Sequence, residues 1–267
     1  MEVCAGSARL TRTAREFGFN GIAIDHTQKR SCGIDICIFE LEDDAQVEEL
    51  CNFLESEADN IAAVWIAPSR GTASKARERR LPELQRLGIE IPIPLRSLEK
   101  PDQIDGLGET NKLKVEKANM LYSAVERIAT TACNNNIFTG IENPGNSHYW
   151  NTTPMQNLIE RFGDKRITFH NCCHGGSRDK LTAVWVNESW LDSLEARCDG
   201  SHSHKSWKVT MSSKQVHFPT SEEAAYPPVL CQRIVECVKQ KAIQFGAIFP
   251  APSKSSCSNQ MPTQLVA

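Results

Sequence analysis

The sequence predicts an α/β fold, built on a doubly wound and mostly parallel sheet with helices on both faces. Short apolar runs alternate with helical patterns through most of the 267 residues, and this alternation is typical of parallel sheets with crossover helices. Within residues 44–58, Val47, Leu50, Cys51 and Leu54 recur at helical spacing and define one buried face. Sheets of this kind bind ligands beyond the carboxyl ends of their strands.

Each predicted strand is a short run of mostly apolar residues. The predicted strands are Glu2–Cys4, Gly21–Asp25, Ile36–Phe39, Ala62–Ala67, Ile137–Glu142, Ile167–Cys172 and Thr182–Asn187. The predicted helices are Ala8–Phe17, Asp44–Ala58, Asn111–Asn134 and Met155–Phe162. The proline-rich stretch 81–107 predicts a long loop, which in a compact domain is more often functional than passive. Thr220 and Glu223 have the spacing of a capping box and predict the start of a C-terminal helix.

The chain divides into three predicted regions. Residues 1–190 form the main domain, and residues 191–249 form a small Cys/His segment followed by a helix that returns to the core. Residues 250–267 are rich in Ser and Pro, a composition that predicts a disordered tail. The apolar runs are far shorter than the roughly 20 residues that a membrane span needs, so no membrane partner is expected.

Composition excludes collagen, coiled coil and wholesale disorder, because 40% of the residues are hydrophobic and 24% are charged. A net charge of −3 excludes a globally basic nucleic-acid coat. Residues 35–60 carry ten acidic residues and no Lys or Arg, whereas residues 70–86 carry six basic and two acidic residues. Eleven irregularly spaced cysteines, and a start without a basic and apolar leader, predict an intracellular protein, nuclear or cytoplasmic and not secreted.

The first strand runs into a turn of small residues and then into a helix. Ala5, Gly6 and Ser7 allow a ligand to approach the backbone, and the start of the helix offers unpaired N–H groups. The next strand ends in Asp25, which is placed to accept hydrogen bonds from ribose hydroxyls. Together the turn and the acid predict a nucleoside site of the Rossmann-like type, against the alternative of an ordinary turn and a surface Asp.

Four motifs follow one another in a recognisable order. EVCAGSARLT comes first, then APSRGTASKARE, then GIENPGNSHYW, and finally CCHGGSRDKLTAVWVN. In this order the chain, from about Glu2 to about Lys239, resembles the S-adenosylmethionine-dependent DNA cytosine-5 methyltransferases, in particular a divergent branch with GTASRARE-like and ENPxxSxxW-like motifs. The resemblance implies a Rossmann-like class I methyltransferase fold with a small C-terminal appendage, S-adenosyl-L-methionine as cofactor and DNA as partner.

The resemblance also implies roles for individual residues. Glu142 would bind the Watson–Crick edge of a flipped cytosine, and Arg178 with Lys180 would occupy the family's later basic motif. Where the family usually has a second glycine in the first turn, this chain has Ala8. An acid after the third strand, Glu40 or Glu42, would lie near the adenine. The implied cofactor-binding residues are Ala5, Gly6, Ser7, Asp25, Glu40 and Pro68.

The chain departs from the family at the nucleophile. In the family a Pro-Cys pair lies four residues before a serine, and its thiolate attacks carbon 6 of cytosine. Aligning GTAS with that motif puts Arg70 at the cysteine position, with Ser74 four residues later. A guanidinium stays protonated at neutral pH and has no lone pair to donate. Arg70 therefore cannot start the reaction, and Cys172 and Cys173 are the alternative thiols.

Arginine at this position suits nucleic acid instead. Arg70 is followed by a basic series that predicts phosphate contacts, against the alternative of a solvated helix face. Tyr149 and Trp150, after the ENP motif, are candidates for stacking on a displaced base, with aromatic packing at the sheet edge as the alternative. The predicted nucleic-acid-binding residues are Lys75, Arg77, Arg79, Arg80 and Lys180.

The segment after the last strand contains a possible metal site. In an extended segment His202 and His204 point to the same side, so with Cys198 they offer three zinc ligands. The spacing matches no standard zinc finger, and ordinary loop residues are the alternative. The candidates for a fourth ligand are Cys172, Cys173, His170 and His174.

Two functions stay open on the sequence alone. The first is a DNA cytosine-5 methyltransferase, impaired or inactive because Arg70 replaces the nucleophile. The second is a catalytically silent pseudoenzyme that binds nucleic acid or a protein partner on the same scaffold.

Overall fold

The central sheet has seven strands in the order β3-β2-β1-β4-β5-β7-β6, in a computed structural model that describes residues 1–28, 33–86, 88–212 and 215–249. The first five strands pair in parallel, whereas β7 runs antiparallel to both β5 and β6. The predicted α/β class with a mostly parallel sheet is therefore confirmed. The strands are β1 (Glu2–Val3), β2 (Ala23–Asp25), β3 (Ile36–Ile38), β4 (Ala63–Ile66), β5 (Phe138–Pro144), β6 (Arg166–His170) and β7 (Leu181–Val186).

Helices cover both faces of this sheet. They are α1 (Arg9–Glu16), α2 (Asp44–Ser56), α3 (Pro82–Arg86), α4 (Glu109–Asn134), α5 (Thr153–Phe162), α6 (Pro219–Glu222) and α7 (Pro228–Gln244). Residues of α2, α4 and α5 share one core with the sheet, and residues of α1 and α7 share the other. A separate hairpin of β8 (Thr210–Ser212) and β9 (Gln215–His217) precedes α6.

The two cores explain why the helices stay on the sheet. On one face Leu50 and Leu54 of α2 are fully buried, as the helical spacing predicts. On the other face Leu230 and Ile234 of α7 are buried with Leu10 of α1. Burying each such side chain stabilises the fold by roughly 1.5–3 kcal/mol. The sheet edge at the carboxyl ends of the strands is thus held between two packed layers.

The predicted capping box of Thr220 and Glu223 is wrong. The C-terminal helix α7 begins at Pro228, and its first turn has no side-chain cap. Proline suits the first turn of a helix but disfavours helical backbone in the residue before it. Pro227 and Pro228 therefore separate α7 from the short helix α6, and the Glu223 carboxylate accepts a hydrogen bond from Arg178 instead.

The long proline-rich loop is more ordered than predicted. It begins with α3, and Arg96 anchors its middle. The Arg96 guanidinium is 1% exposed and donates to Thr72, to Asn119 and to the carbonyls of Pro101 and Asp102. This buried cation fixes the loop against α4.

Two further expectations concern the ends and the surroundings of the chain. The tail predicted at 250–267 lies outside the described residues, and the division at residue 190 stays a prediction. Among the described helices, none has the length and apolar character that crossing a membrane requires.

Candidate ligand cleft at the carboxyl edge of the sheet

The order of the strands creates a crevice between β1 and β4. β1 pairs with β2 on one side and with β4 on the other, so the chain winds in opposite directions from this point. In open α/β sheets such a switch point is where ligands bind, beyond the carboxyl ends of the strands. The turn after β1 and the motif after β4 both leave the sheet here.

The turn after β1 has an unusual backbone. Cys4, Gly6 and Ala8 have φ angles of 57°, 55° and 47°, in the left-handed region that favours glycine. Non-glycine residues with such φ angles are strained, and the surrounding structure must stabilise them. Ala8 is fully buried and directly precedes α1.

Asp25 holds this turn closed. Its Oδ2 accepts a hydrogen bond from the Gly6 N–H at 2.6 Å, and Oδ1 accepts from the backbone N–H of His26 at 2.8 Å. The Asp25 side chain is 6% exposed, and the His26 ring lies 2.6 Å from Oδ1. Because each carboxylate oxygen has two lone pairs, acceptor capacity is left for a ligand hydroxyl.

The remaining predicted cofactor residues lie around the same edge. Ala5 is buried, Ser7 is half-buried, and Glu40 is exposed beyond β3, on the far side of β2. Pro68 is buried, and its carbonyl accepts a hydrogen bond from the Asn143 amide at 3.3 Å. The Oδ1 of Asn143 is buried without a hydrogen-bond partner in the described part of the chain. A buried acceptor of this kind calls for a donor from a ligand or from water.

Glu142 lies at the end of β5, where sequence reasoning put it. Its Oε1 lies 3.2 Å from the Lys180 Nζ, and its Oε2 accepts a hydrogen bond from the Tyr226 hydroxyl at 3.2 Å. The same hydroxyl accepts from the Trp65 indole at 3.0 Å. Both carboxylate oxygens thus have partners within the chain, and a cytosine edge would compete with them.

Arg70 joins this group from the loop after β4. Its guanidinium donates to the Thr220 carbonyl at 2.8 Å, which ties the loop to α6. Burial lowers the pKa of the Lys180 ammonium, Glu142 opposes that change, and the positive charge of Arg70 adds to it. The charge of Arg70, at the position where the resemblance puts the nucleophile, thus acts on the Lys180 ammonium.

Arg178 forms a second cationic centre in this region. It is 5% exposed and pairs with Glu222 at 3.0 Å and with Glu223 at 2.9 Å. Its Nε donates to the Ser206 carbonyl, and its guanidinium lies 5.4 Å from the centre of the Trp207 ring. Arg178 thereby connects the approach to β7, the loop before β8 and the segment around α6.

A cleft of about 470 Å³ opens between the loop after β4 and the segments around α6. Of the predicted nucleic-acid-binding residues, Arg77 and Arg79 line it, whereas Lys75, Arg80 and Lys180 do not. Arg77 donates to the carbonyls of Gly71 and Ile93, so it also braces the loop. The lining combines cations with aromatic and apolar groups, including Arg70, Arg77, Arg79, Trp207, Phe218 and Pro219.

The predicted stacking role of Tyr149 and Trp150 is not supported. They are 1% and 2% exposed, and Tyr149 packs edge-on against Tyr122 with ring centres 4.8 Å apart. The Trp150 indole donates to the Pro144 carbonyl at 2.8 Å. Sequence reasoning missed Trp207 and Phe218, which line the cleft instead. The one available signal for Trp207 was its place directly after the Cys/His segment.

The predicted metal ligands do come together. The Sγ of Cys198 lies 3.5 Å from the Nε2 of His204 and 3.9 Å from the Nε2 of His202. Cys172 completes a group whose four ligand atoms all lie within 4.8 Å of one another. Of the other candidates for a fourth ligand, His170 accepts from the Cys198 backbone and His174 contacts the Leu194 carbonyl.

Three cysteines lie near the carboxyl ends of the strands, and two of them are the alternative thiols that the sequence offers. Cys172 belongs to the Cys/His group, and the Cys173 carbonyl accepts a hydrogen bond from Arg233. Burial raises the pKa of Cys4, in the turn after β1, to about 12. A thiol with such a pKa supplies almost no thiolate at neutral pH.

Comparisons of the chain with protein-family models, with curated proteins and with solved structures found no significant match.

Proposed function

We propose that this chain is a methyltransferase-like protein that binds S-adenosylmethionine at the turn after β1 and nucleic acid in the neighbouring cleft. It does not methylate cytosine through a thiolate. The observation that carries the proposal is the switch point between β1 and β4, where the strained turn, Asp25 and the loop bearing Arg70 converge. The sheet order, with an antiparallel strand between β5 and β6, supports the class I methyltransferase fold that the resemblance implies.

The residues at this edge fit such a cofactor. Asp25 retains acceptor capacity for ribose hydroxyls, and the unpartnered Asn143 Oδ1 offers a buried acceptor for an amine donor. The turn of small residues at Ala5–Ser7 lets the ligand approach the backbone. When bound, S-adenosylmethionine supplies an electrophilic methyl group. The chain's own residues bind and orient the cofactor, and Asp25 holds the turn while doing so.

Arg70 gives the cleft a side chain that can bind phosphate. A guanidinium donates hydrogen bonds and carries charge, so it recognises phosphate rather than attacking a base. Arg70, Arg77 and Arg79 line the cleft with Trp207 and Phe218. Cations interleaved with aromatic rings are the groups that bind single-stranded nucleic acid with little sequence preference. This combination of lining residues favours nucleic acid over a protein partner.

Calorimetry tests the cofactor half of the proposal. We expect wild type to bind S-adenosylmethionine and Asp25→Asn to bind it about tenfold or more weakly, the equivalent of one charge-assisted hydrogen bond. Asparagine at this position keeps an acceptor for the Gly6 N–H, so the turn is retained. Asp43→Asn, which alters the cap of α2, is the matched control. Wild type that shows no binding would overturn the cofactor assignment.

A methyl-transfer assay tests the silent site. With tritiated cofactor and duplex DNA, we expect no transfer by wild type. Activity that arises only in Arg70→Cys would support an enzyme silenced at this position. Robust transfer by wild type would show that the nucleophile position has been assigned wrongly.

A further inference from the structure

The Cys/His group lies on two separate loops that the fold brings together. Cys172 belongs to the turn after β6, and Cys198, His202 and His204 belong to the segment between β7 and β8. That segment is fixed beside β6, because the His170 N–H donates to the Ala196 carbonyl at 2.9 Å. Four donors contributed by two anchored loops are therefore held in place by the backbone.

The four donor atoms lie within 4.8 Å of one another, close to the spacing around a tetrahedral metal ion. Zinc bonds of about 2.0–2.1 Å to nitrogen and 2.3 Å to sulfur put tetrahedral ligand atoms about 3.3–3.8 Å apart. The two histidine Nε2 atoms are 3.0 Å apart, and the Cys198 Sγ lies 3.5 Å and 3.9 Å from them. Two thiols and two imidazoles are the ligands that zinc prefers in structural sites.

The loop around Cys198 is shaped to support a bound thiolate. The Gly200 N–H donates to the Cys198 Sγ at 3.4 Å, and Gly200 has a φ of 74° that favours glycine. Asp199 closes the same turn by accepting from the Ser201 N–H at 2.9 Å. An N–H directed at a ligating sulfur orients it and stabilises its negative charge.

We propose that Cys172, Cys198, His202 and His204 bind one zinc ion as a closed structural site. On binding, the two thiols lose their protons to solvent and the two imidazoles bind through Nε2 in the neutral form. Two thiolates balance the charge of Zn²⁺, so the half-buried site is neutral. Four protein ligands leave no open position, so the ion takes no part in chemistry.

The zinc site also positions one wall of the cleft. Directly after His204, the Lys205 N–H donates to the Ser177 carbonyl at 2.9 Å, and the Ser206 carbonyl accepts from Arg178. Trp207 then donates to Asp179 at 2.7 Å and lines the cleft. Zinc thereby fixes the segment that carries Trp207. The existence of the metal site does not depend on the proposed function.

Metal analysis of the full chain purified under reducing conditions tests the site. We expect one zinc per chain in wild type, and cobalt substitution should give the intense visible absorption of a tetrahedral site with thiolate ligands. Cys198→Ser and His202→Ala should lose this metal, and His202 is exposed, so its variant tests the site without disturbing a core. Cys173→Ser is the matched control, because this neighbouring thiol lies outside the group, and it should keep full occupancy.

Three results would overturn the proposal. One is wild type that takes up neither zinc nor cobalt after complete reduction. Another is a Cys172–Cys198 disulfide in the purified protein whose reduction yields no metal binding. The third is full zinc content in both Cys198→Ser and His202→Ala. None of these measurements uses S-adenosylmethionine or nucleic acid, so failure here is distinct from failure of the proposed function.

Discussion

The Nζ of Lys180 lies 3.2 Å from the Oε1 of Glu142, and both side chains are 9% exposed. The antiparallel strand β7 explains this pair, because β7 begins beside the end of β5, with Thr182 opposite Pro144. A buried ion pair is costly to break, since removal of one partner leaves an uncompensated charge.

We expect Lys180→Met to destabilise the fold by about 3–5 kcal/mol, because Glu142 then stays buried without its cation. The double variant Glu142→Gln/Lys180→Met should lose less, since glutamine still accepts from Tyr226 and carries no charge. Urea unfolding of Lys180→Met, Glu142→Gln, the double variant and wild type measures the coupling. Strictly additive losses would show that the pair does not interact.

The stability that protonated Glu2 contributes to the fold should fall as pH rises from 4.5 to about 7. Burial raises the pKa of Glu2 from 4.5 to about 7, although hydrogen bonds from Thr11 oppose the rise. The folded state therefore keeps this proton to higher pH than the unfolded chain does. Stability is full below the unfolded pKa and is lost as pH passes the folded pKa, by roughly 3 kcal/mol in total.

Glu2→Gln should remove most of this dependence, because glutamine keeps an acceptor for Thr11 and does not ionise. Glu16→Gln, an exposed position on α1, is the control and should behave like wild type. Unfolding free energies of wild type, Glu2→Gln and Glu16→Gln, measured across this pH range, test the expectation. Equal slopes for wild type and Glu2→Gln would assign the dependence to another group.

Arg79 should contribute to nucleic-acid affinity through charge alone. It is exposed, lines the cleft and has no ion-pair partner among the described residues. Arg79→Gln should weaken binding of oligonucleotides of any sequence and reduce the slope of log K against log salt by about 0.7–0.9. Arg161→Gln, on α5 outside the cleft lining, should leave fluorescence anisotropy titrations unchanged. A sequence-dependent loss would contradict a phosphate contact.

Trp207 should contribute to nucleic-acid binding, whereas Trp150 should contribute to the stability of the fold. Trp207→Ala should cost about 1–3 kcal/mol of single-strand affinity, the contribution of one stacked base, while the fold is retained. Trp150→Ala should instead cost about 3–5 kcal/mol of stability, because its ring is 2% exposed in the core. Thermal unfolding and oligonucleotide titration measure both effects. Unchanged affinity in Trp207→Ala would remove Trp207 from the nucleic-acid site.

The sheet and its main helices were predictable because their signals are local. Apolar runs and helical spacing predicted all seven strands of the sheet and four of its helices, with boundaries that moved by at most two residues. The switch point also follows from local order, since the turn after β1 and Asp25 are read directly from the sequence. The polar cluster was partly predictable: Glu142, Arg178 and Lys180 were named from motifs.

The partners of these residues were not predictable, because long-range packing decides them. Tyr226 reaches Glu142 across 84 positions, and Arg70 reaches Thr220 across 150. Burial of Tyr149 depends on Tyr122 of α4, and the Trp150 ring lies beside Arg166 of β6. No local pattern encodes either contact. The fourth member of the Cys/His group depends on how closely the loop after β7 approaches the end of β6.

The cleft draws its two walls from distant parts of the chain, one from residues 69–92 and the other from residues 207–224. During synthesis the turn, Asp25 and Arg70 therefore emerge long before the second wall does. A nascent or truncated chain that ends before α6 would contain every residue of the first wall and still lack the enclosed groove. Binding in the cleft would then report that the chain has been made and folded at least through α6.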